Sequence, residues 1–106
     1  MSPAMTRGQA MLPIAPEHPA YAGHFPGMPI LPGVVLLDEA LHAVGALIGA
    51  DLSACELGSV KFLSAVRPGE PLAVRHEMQH SGTIRFDIFS GERKVASGAI
   101  RTACAG

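Results

Sequence analysis

The sequence predicts an α+β domain in which an antiparallel sheet wraps one long central helix. Three observations lead there: an apolar segment at helical spacing over residues 34–49, later segments in which the apolar period drops to two, and short Gly- or Pro-bearing turns between those segments. Consecutive strands joined by short turns pair antiparallel, and one apolar helix needs a sheet to cover it. The 106 residues suit one domain. Residues 1–106 are therefore read as a single unit, with residues 1–8, which carry Ser, Pro, Thr and Gly without period, as a frayed end.

Each element has its own signal. Residues 9–14 read as a first strand, which Pro13 restricts to a sheet edge or a strand end. Pro16-Glu17-His18-Pro19 and Tyr21-Ala22-Gly23 are turn material. In the helix, Leu37, Leu41, Val44 and Ile48 follow helical spacing while Ala40, Ala43, Ala46 and Leu47 make the remaining surface apolar, the pattern of a buried helix. Pro32 is tolerated at the first helical position and Gly49 supplies the stop. Asp38 and His42, four apart, share one face, and Glu39 points elsewhere as solvated surface. Beyond the helix, Leu72, Val74, His76 and Met78 alternate with Ala73, Arg75, Glu77 and Gln79, and Ile84, Phe86 and Ile88 alternate with Arg85 and Asp87. Residues 57–66 and 94–102 complete the strands. Arg67-Pro68-Gly69-Glu70, Ser81-Gly82 and Ser90-Gly91-Glu92 are the turns.

Composition narrows the function. An apolar fraction of 48% with only 16% charged residues implies that another subunit covers some apolar surface. The net charge of −1, with scattered Lys and Arg, speaks against nucleic acid. Cys55 and Cys104 have no metal-ligand spacing and read, without a secretory leader, as reduced thiols of a cytoplasmic protein. The apolar run at residues 34–37 is interrupted by Asp38 and Glu39 far short of a bilayer span, so no membrane association is expected. His18, His42, His76 and His80 form no ligand set, and neither metal nor cofactor is expected.

One loop stands apart: Gly23-His24-Phe25-Pro26-Gly27-Met28-Pro29-Ile30-Leu31-Pro32-Gly33, leading straight into the helix that carries Asp38. Its prolines fix their own φ and push the preceding residues out of the helical region, which stiffens a loop that presents one histidine. This stretch resembles the signature of the 3-hydroxyacyl-acyl-carrier-protein dehydratases of the hot-dog fold, His-Phe-Pro-Gly-x-Pro-x-x-Pro-Gly followed by an acidic residue near the start of the central helix. Val60-Lys61-Phe62-Leu63-Ser64-Ala65-Val66-Arg67-Pro68-Gly69-Glu70 looks like that family's later strand and its Pro-Gly-acid turn. The similarity extends over roughly residues 20–102.

The resemblance implies removal of water from 3-hydroxyacyl thioesters, delivered on an acyl carrier protein, to give trans-2-enoyl thioesters in fatty-acid or related synthesis. It implies His24 as the base, Asp38 as the acid and the Gly33 N–H as donor to the thioester oxygen, with Phe25, Met28 and Pro32 along the acyl channel. Physical chemistry agrees with each role. Histidine titrates near neutrality, and burial would keep His24 neutral and basic. Desolvation on an apolar helix would favour the protonated carboxyl of Asp38. The N–H groups at a helix N-terminus favour an oxyanion. The resemblance further implies a homodimer in which the histidine loop of one chain meets the helix of the other. Carrier docking would fall to some of Lys61, Arg67, Arg75, Arg93 and Lys94. Two departures stand out: the chain is short for the family, and it carries Asp where one large branch has Glu, a feature shared with enzymes that also isomerise the double bond. The competing readings are a hot-dog acyl-thioesterase, which usually lacks the histidine loop, and a non-catalytic hot-dog subunit.

Overall fold

A computed structural model describes residues 7–14, 31–52, 55–79 and 81–101. They form β1 (Arg7–Leu12), α1 (Gly33–Ile48), β2 (Glu56–Phe62), β3 (Leu72–Met78), β4 (Ile84–Ser90) and β5 (Arg93–Arg101). The strands make one antiparallel sheet in the order β1-β3-β4-β5-β2, with α1 against it, which is the predicted α+β arrangement. β1 lies at a sheet edge and ends one residue before Pro13, as the missing proline N–H requires. Arg7 and Gly8, expected in a frayed end, instead open β1 by pairing with Glu77 and His76. The rest of that end, residues 1–6, lies outside the described residues, as does the turn material at 15–23.

The predicted alternation is seen in β3 and β4. Leu72, Val74 and His76, and Ile84, Phe86 and Ile88, are buried, while Arg75, Glu77 and Arg85 between them are exposed. β5 breaks the period, since both Val95 and Ala96 are buried. Ile88 pairs with Ala96 and Phe89 with Lys94, so Val95 is the extra residue of a bulge. That bulge also ends β2 at Phe62 rather than at residue 66: the next two N–H groups, of Leu63 and Ser64, both donate to the Val95 carbonyl, at 2.9 and 3.3 Å. Across the middle of the sheet Gly8, His76, Phe86 and Gly98 stand side by side. A Cβ on Gly8 would come within 2.5 Å of the His76 ring, and one on Gly98 within 2.7 Å of Phe86. The two large rings of β3 and β4 need glycine on the strands that flank this pair, β1 and β5.

The helix runs closer to prediction in its ends than in its burial. Pro32, extended at φ −61°, is the N-cap rather than the first helical residue, and Gly49 closes α1 in the left-handed conformation. Leu36, Ala40, Val44 and Gly45 are buried, but Val34, Asp38, His42 and Ala46 form an exposed stripe at four-residue spacing. The sheet of a single chain covers one face of α1 and leaves the other open, so the helix is not buried all round as its composition suggested. Among the described residues no helix is long and apolar enough to cross a membrane.

Candidate active site

The N-terminus of α1 is where the chemistry-bearing residues can be followed. The Val35 and Leu36 N–H groups turn back to the Pro32 carbonyl, at 3.1 and 3.2 Å. The Gly33 N–H, one residue into the helix, meets no acceptor among the described residues. It is one of the orphan donors of a helix start, and the positive end of the helix dipole lies with it. Glycine here also lets the Phe62 ring approach closely, since a Cβ would stand 2.6 Å from the ring's far end. Gly33 opens on a cleft of about 530 Å³ walled by Leu31, Val34, Leu36, Phe62 and residues 63–66. Such a volume and so apolar a lining suit a small acyl group. Pro32, expected on the acyl channel, is half-buried between two residues that line this cleft.

Asp38 stands five residues along α1 from Gly33, about 7.5 Å further down the axis at the helical rise. Its side chain is 66% exposed, so one chain by itself does not take this carboxyl out of water as expected of a buried helix. The reason is the open face of α1. The His42 ring lies beside the carboxyl, with Nδ1 3.7 Å from Asp38 Oδ2, too far for a hydrogen bond. The shared face of these two residues was visible in their spacing; a role for His42 was not assigned. Glu39, expected on the solvated surface, is half-buried and lines a second, apolar groove of about 390 Å³ between α1 and β1, beside Ala10, Met11 and Pro13. His24, Phe25 and Met28 lie outside the described residues.

Two of the five cations expected at a docking surface meet at one ring. Arg75 lies over the Phe89 ring at 4.5 Å from its centre and Lys94 at 5.8 Å, with Lys94 also 3.3 Å from Asp87. Arg93 is committed to the Glu70 carboxylate and to the Ala65 carbonyl. Glu70 is the acid of the Pro-Gly-acid turn, and its carboxylate also accepts from the Arg67 N–H and the Ser90 hydroxyl, both at 2.7 Å. Burial pushes the Glu70 carboxyl up, but the Arg67 N–H, the Ser90 hydroxyl and Arg93 together outweigh it and hold it below the usual carboxylate range.

Comparison with known proteins bears on the family and the fold. A 3-hydroxyacyl-[acyl-carrier-protein] dehydratase FabZ from Chlamydia trachomatis serovar L2 is 36% identical, covering 79% of this chain and 63% of its own length. The chain thus spans less than two thirds of that curated relative. Among solved structures, the dehydratase heterocomplex ApeI:P from Xenorhabdus doucetiae aligns with a TM-score of 0.74 at 24% identity over 95% of this chain and 90% of its own. The fluoroacetyl-CoA thioesterase FlK aligns with a TM-score of 0.61 at 17% identity over 89% of this chain and 81% of its own, a likeness of fold alone. The sheet order, α1 packed against the sheet and these neighbours establish the hot-dog fold. The model of the ApeI-like family, described as ApeI dehydratase, matches residues 2–99, and the chain belongs to that family.

Proposed function

We propose that this chain removes water from 3-hydroxyacyl thioesters, taken from an acyl carrier protein, to give trans-2-enoyl thioesters. The observation that carries the reading is the start of α1: a Gly33 N–H without an acceptor among the described residues, on the wall of a cleft lined mostly by apolar side chains, with a carboxyl further along the same helix, in a chain of the ApeI-like family. A neutral imidazole of His24 takes the C2 proton, and the electron pair of that C–H bond becomes the C2–C3 double bond. The C3–O bond breaks as Asp38 gives the departing hydroxyl a proton, so that water leaves. The proton on His24 then returns to Asp38 through solvent to reset the pair. As C2 loses its proton, charge spreads onto the thioester oxygen, which the Gly33 N–H and the helix dipole stabilise.

A thioesterase would need an activated water beside the thioester carbonyl, and the described residues near Gly33 are apolar apart from Ser64. Incubating the protein with 3-hydroxyacyl thioesters of several chain lengths and following the conjugated enoyl absorbance tests the proposal directly. Appearance of that absorbance is expected; free thiol without it would move the reading to hydrolysis.

A further inference from the structure

Between β2 and β3 the chain runs through residues 63–67 without regular structure, yet each of these five residues has a backbone tie. Leu63 and Ser64 donate to the Val95 carbonyl, at 2.9 and 3.3 Å. The Ala65 carbonyl accepts from Arg93 Nη2 at 3.1 Å, the Val66 carbonyl accepts from the Leu31 N–H at 2.9 Å, and the Arg67 N–H donates to Glu70 Oε2 at 2.7 Å. Irregular backbone held in one conformation is costly in entropy, and five consecutive ties offset that cost. Residues 63–66 of this stretch are the wall of the cleft onto which Gly33 opens. Leu31, seated on it, is the point at which the loop bearing His24 rejoins the described chain.

Behind the wall sits one polar cluster. Glu70 Oε1 accepts from the Ser90 hydroxyl at 2.7 Å and from Arg93, and Arg93 in turn reaches the Ala65 carbonyl. The planar guanidinium thus bridges the Pro-Gly-acid turn to the cleft wall, a task its fork of donors suits and an ammonium does not. The side chains of Arg93 and Glu70 are 48% and 22% exposed, and a pair so open to solvent adds little to stability. Its consequence is therefore geometric. We propose that Glu70 and Arg93 are positioning residues, which through Ala65 and Val66 set the distance of the cleft wall from Gly33 and seat Leu31. The inference rests on the dehydratase reading above, in which a misplaced donor or loop costs rate.

The test uses the full chain carrying Glu70→Ala, Arg93→Ala or both, with Arg7→Ala, which breaks the remote Arg7–Glu77 pair, as the control. In variants shown to be folded, each clamp substitution is expected to lower kcat on the order of 10- to 100-fold, the scale of an ångström-sized misplacement. KM should stay within about threefold, since substrate contacts are kept. The double variant should be no worse than the worse single, because both act through one unit, and Arg7→Ala should match wild type. Hydrogen exchange at the Leu31 amide reads the wall itself: it should quicken in both single variants while the buried Phe86 amide keeps its protection. Unchanged kcat, additive losses or unchanged Leu31 exchange in a folded variant would overturn the proposal. A wild type inert on every thioester would instead sink the dehydratase reading, and Leu31 exchange would then decide alone whether the clamp holds the wall.

Discussion

His76 is the residue whose surroundings are most at odds with its chemistry. It is 4% exposed, packed beneath Gly8, and neither ring nitrogen has a hydrogen-bond partner among the described residues. Burial holds its pKa below the ordinary 6.5. The unfolded chain takes up a proton at about that value and the folded chain resists it, so stability should fall as pH drops below 6.5. Glu70 acts lower on the scale: its folded pKa lies below 4.5, so its contribution is present above that value and is lost as pH falls through the folded pKa. Urea midpoints should therefore decline between pH 7 and 5 in wild type and stay level over that span in His76→Leu, with Glu70→Gln flattening only the more acidic part. Because an unpaired buried polar group costs about 1–3 kcal/mol, His76→Leu should also be the more stable protein at pH 7. A wild-type midpoint independent of pH between 7 and 5 would mean that His76 is solvated. The loop histidine belongs to this scale too. His24→Ala should lose activity by about 10²–10⁴-fold, the range for a positioned general base, with its melting temperature kept; turnover near wild type would make His24 structural only.

At the scale of elements, the start of α1 depends on the contact between Gly33 and Phe62. In Gly33→Ala the new methyl meets the far end of a half-exposed ring that can swing aside, so the fold should survive. The donor and the wall would separate, and kcat should fall on the order of 10- to 100-fold. Gly33→Ala/Phe62→Ala, which removes the collision, should regain most of it; full activity in the single variant would take Gly33 out of the chemistry. How far these elements were legible depends on how local their signals are. The period of two in β3 and β4 placed Leu72, Val74, His76, Ile84, Phe86 and Ile88 inward, and Pro32 and Gly49 bracketed α1, because turn and capping chemistry is written in adjacent residues. The β5 bulge at Val95 was not legible, since one inserted residue leaves no trace in composition. Nor was the Glu70–Arg93 clamp, whose members are 23 residues apart. That the helix needs cover beyond its own sheet was legible in composition, but which face stays open was not, because an apolar helix reports what can be buried and not which chain covers it. The Gly33 donor was readable from the helix start, whereas the solvation of Asp38 followed from that uncovered face.

At the scale of the molecule, the uncovered surface has a pattern. Val34 is 73% exposed on the Asp38 face of α1, while Phe62 and Leu63, at 55% and 54%, stand at the end of the edge strand β2. A fully buried side chain of this size contributes about 1.5–3 kcal/mol, so a monomer forgoes much of that at three neighbouring places. Carrier docking, if it uses Lys61, Arg67, Arg75, Arg93 or Lys94, should make turnover of carrier-bound thioesters fall with salt while truncated thioesters are indifferent; equal behaviour of both would argue against a docking surface. The open helix face makes a stronger demand. We propose a two-fold dimer in which β2 edges extend one sheet and each site joins His24 of one chain to Asp38 of the other, which would also withdraw Asp38 from water. The rival arrangement puts a different chain in the partner's place. In a closed homodimer both sites are equivalent, so His24→Ala and Asp38→Ala should each be inactive alone. Unfolded together and refolded, they should give about half mixed dimers, each with one site bearing both lesions and one bearing neither, hence roughly a quarter of wild-type activity. Native mass spectrometry of the mixture reports whether mixed dimers form. If they form and activity does not return, both residues serve a site within one chain and the shared-site dimer is wrong; if the chain stays monomeric by itself, its partner is another protein.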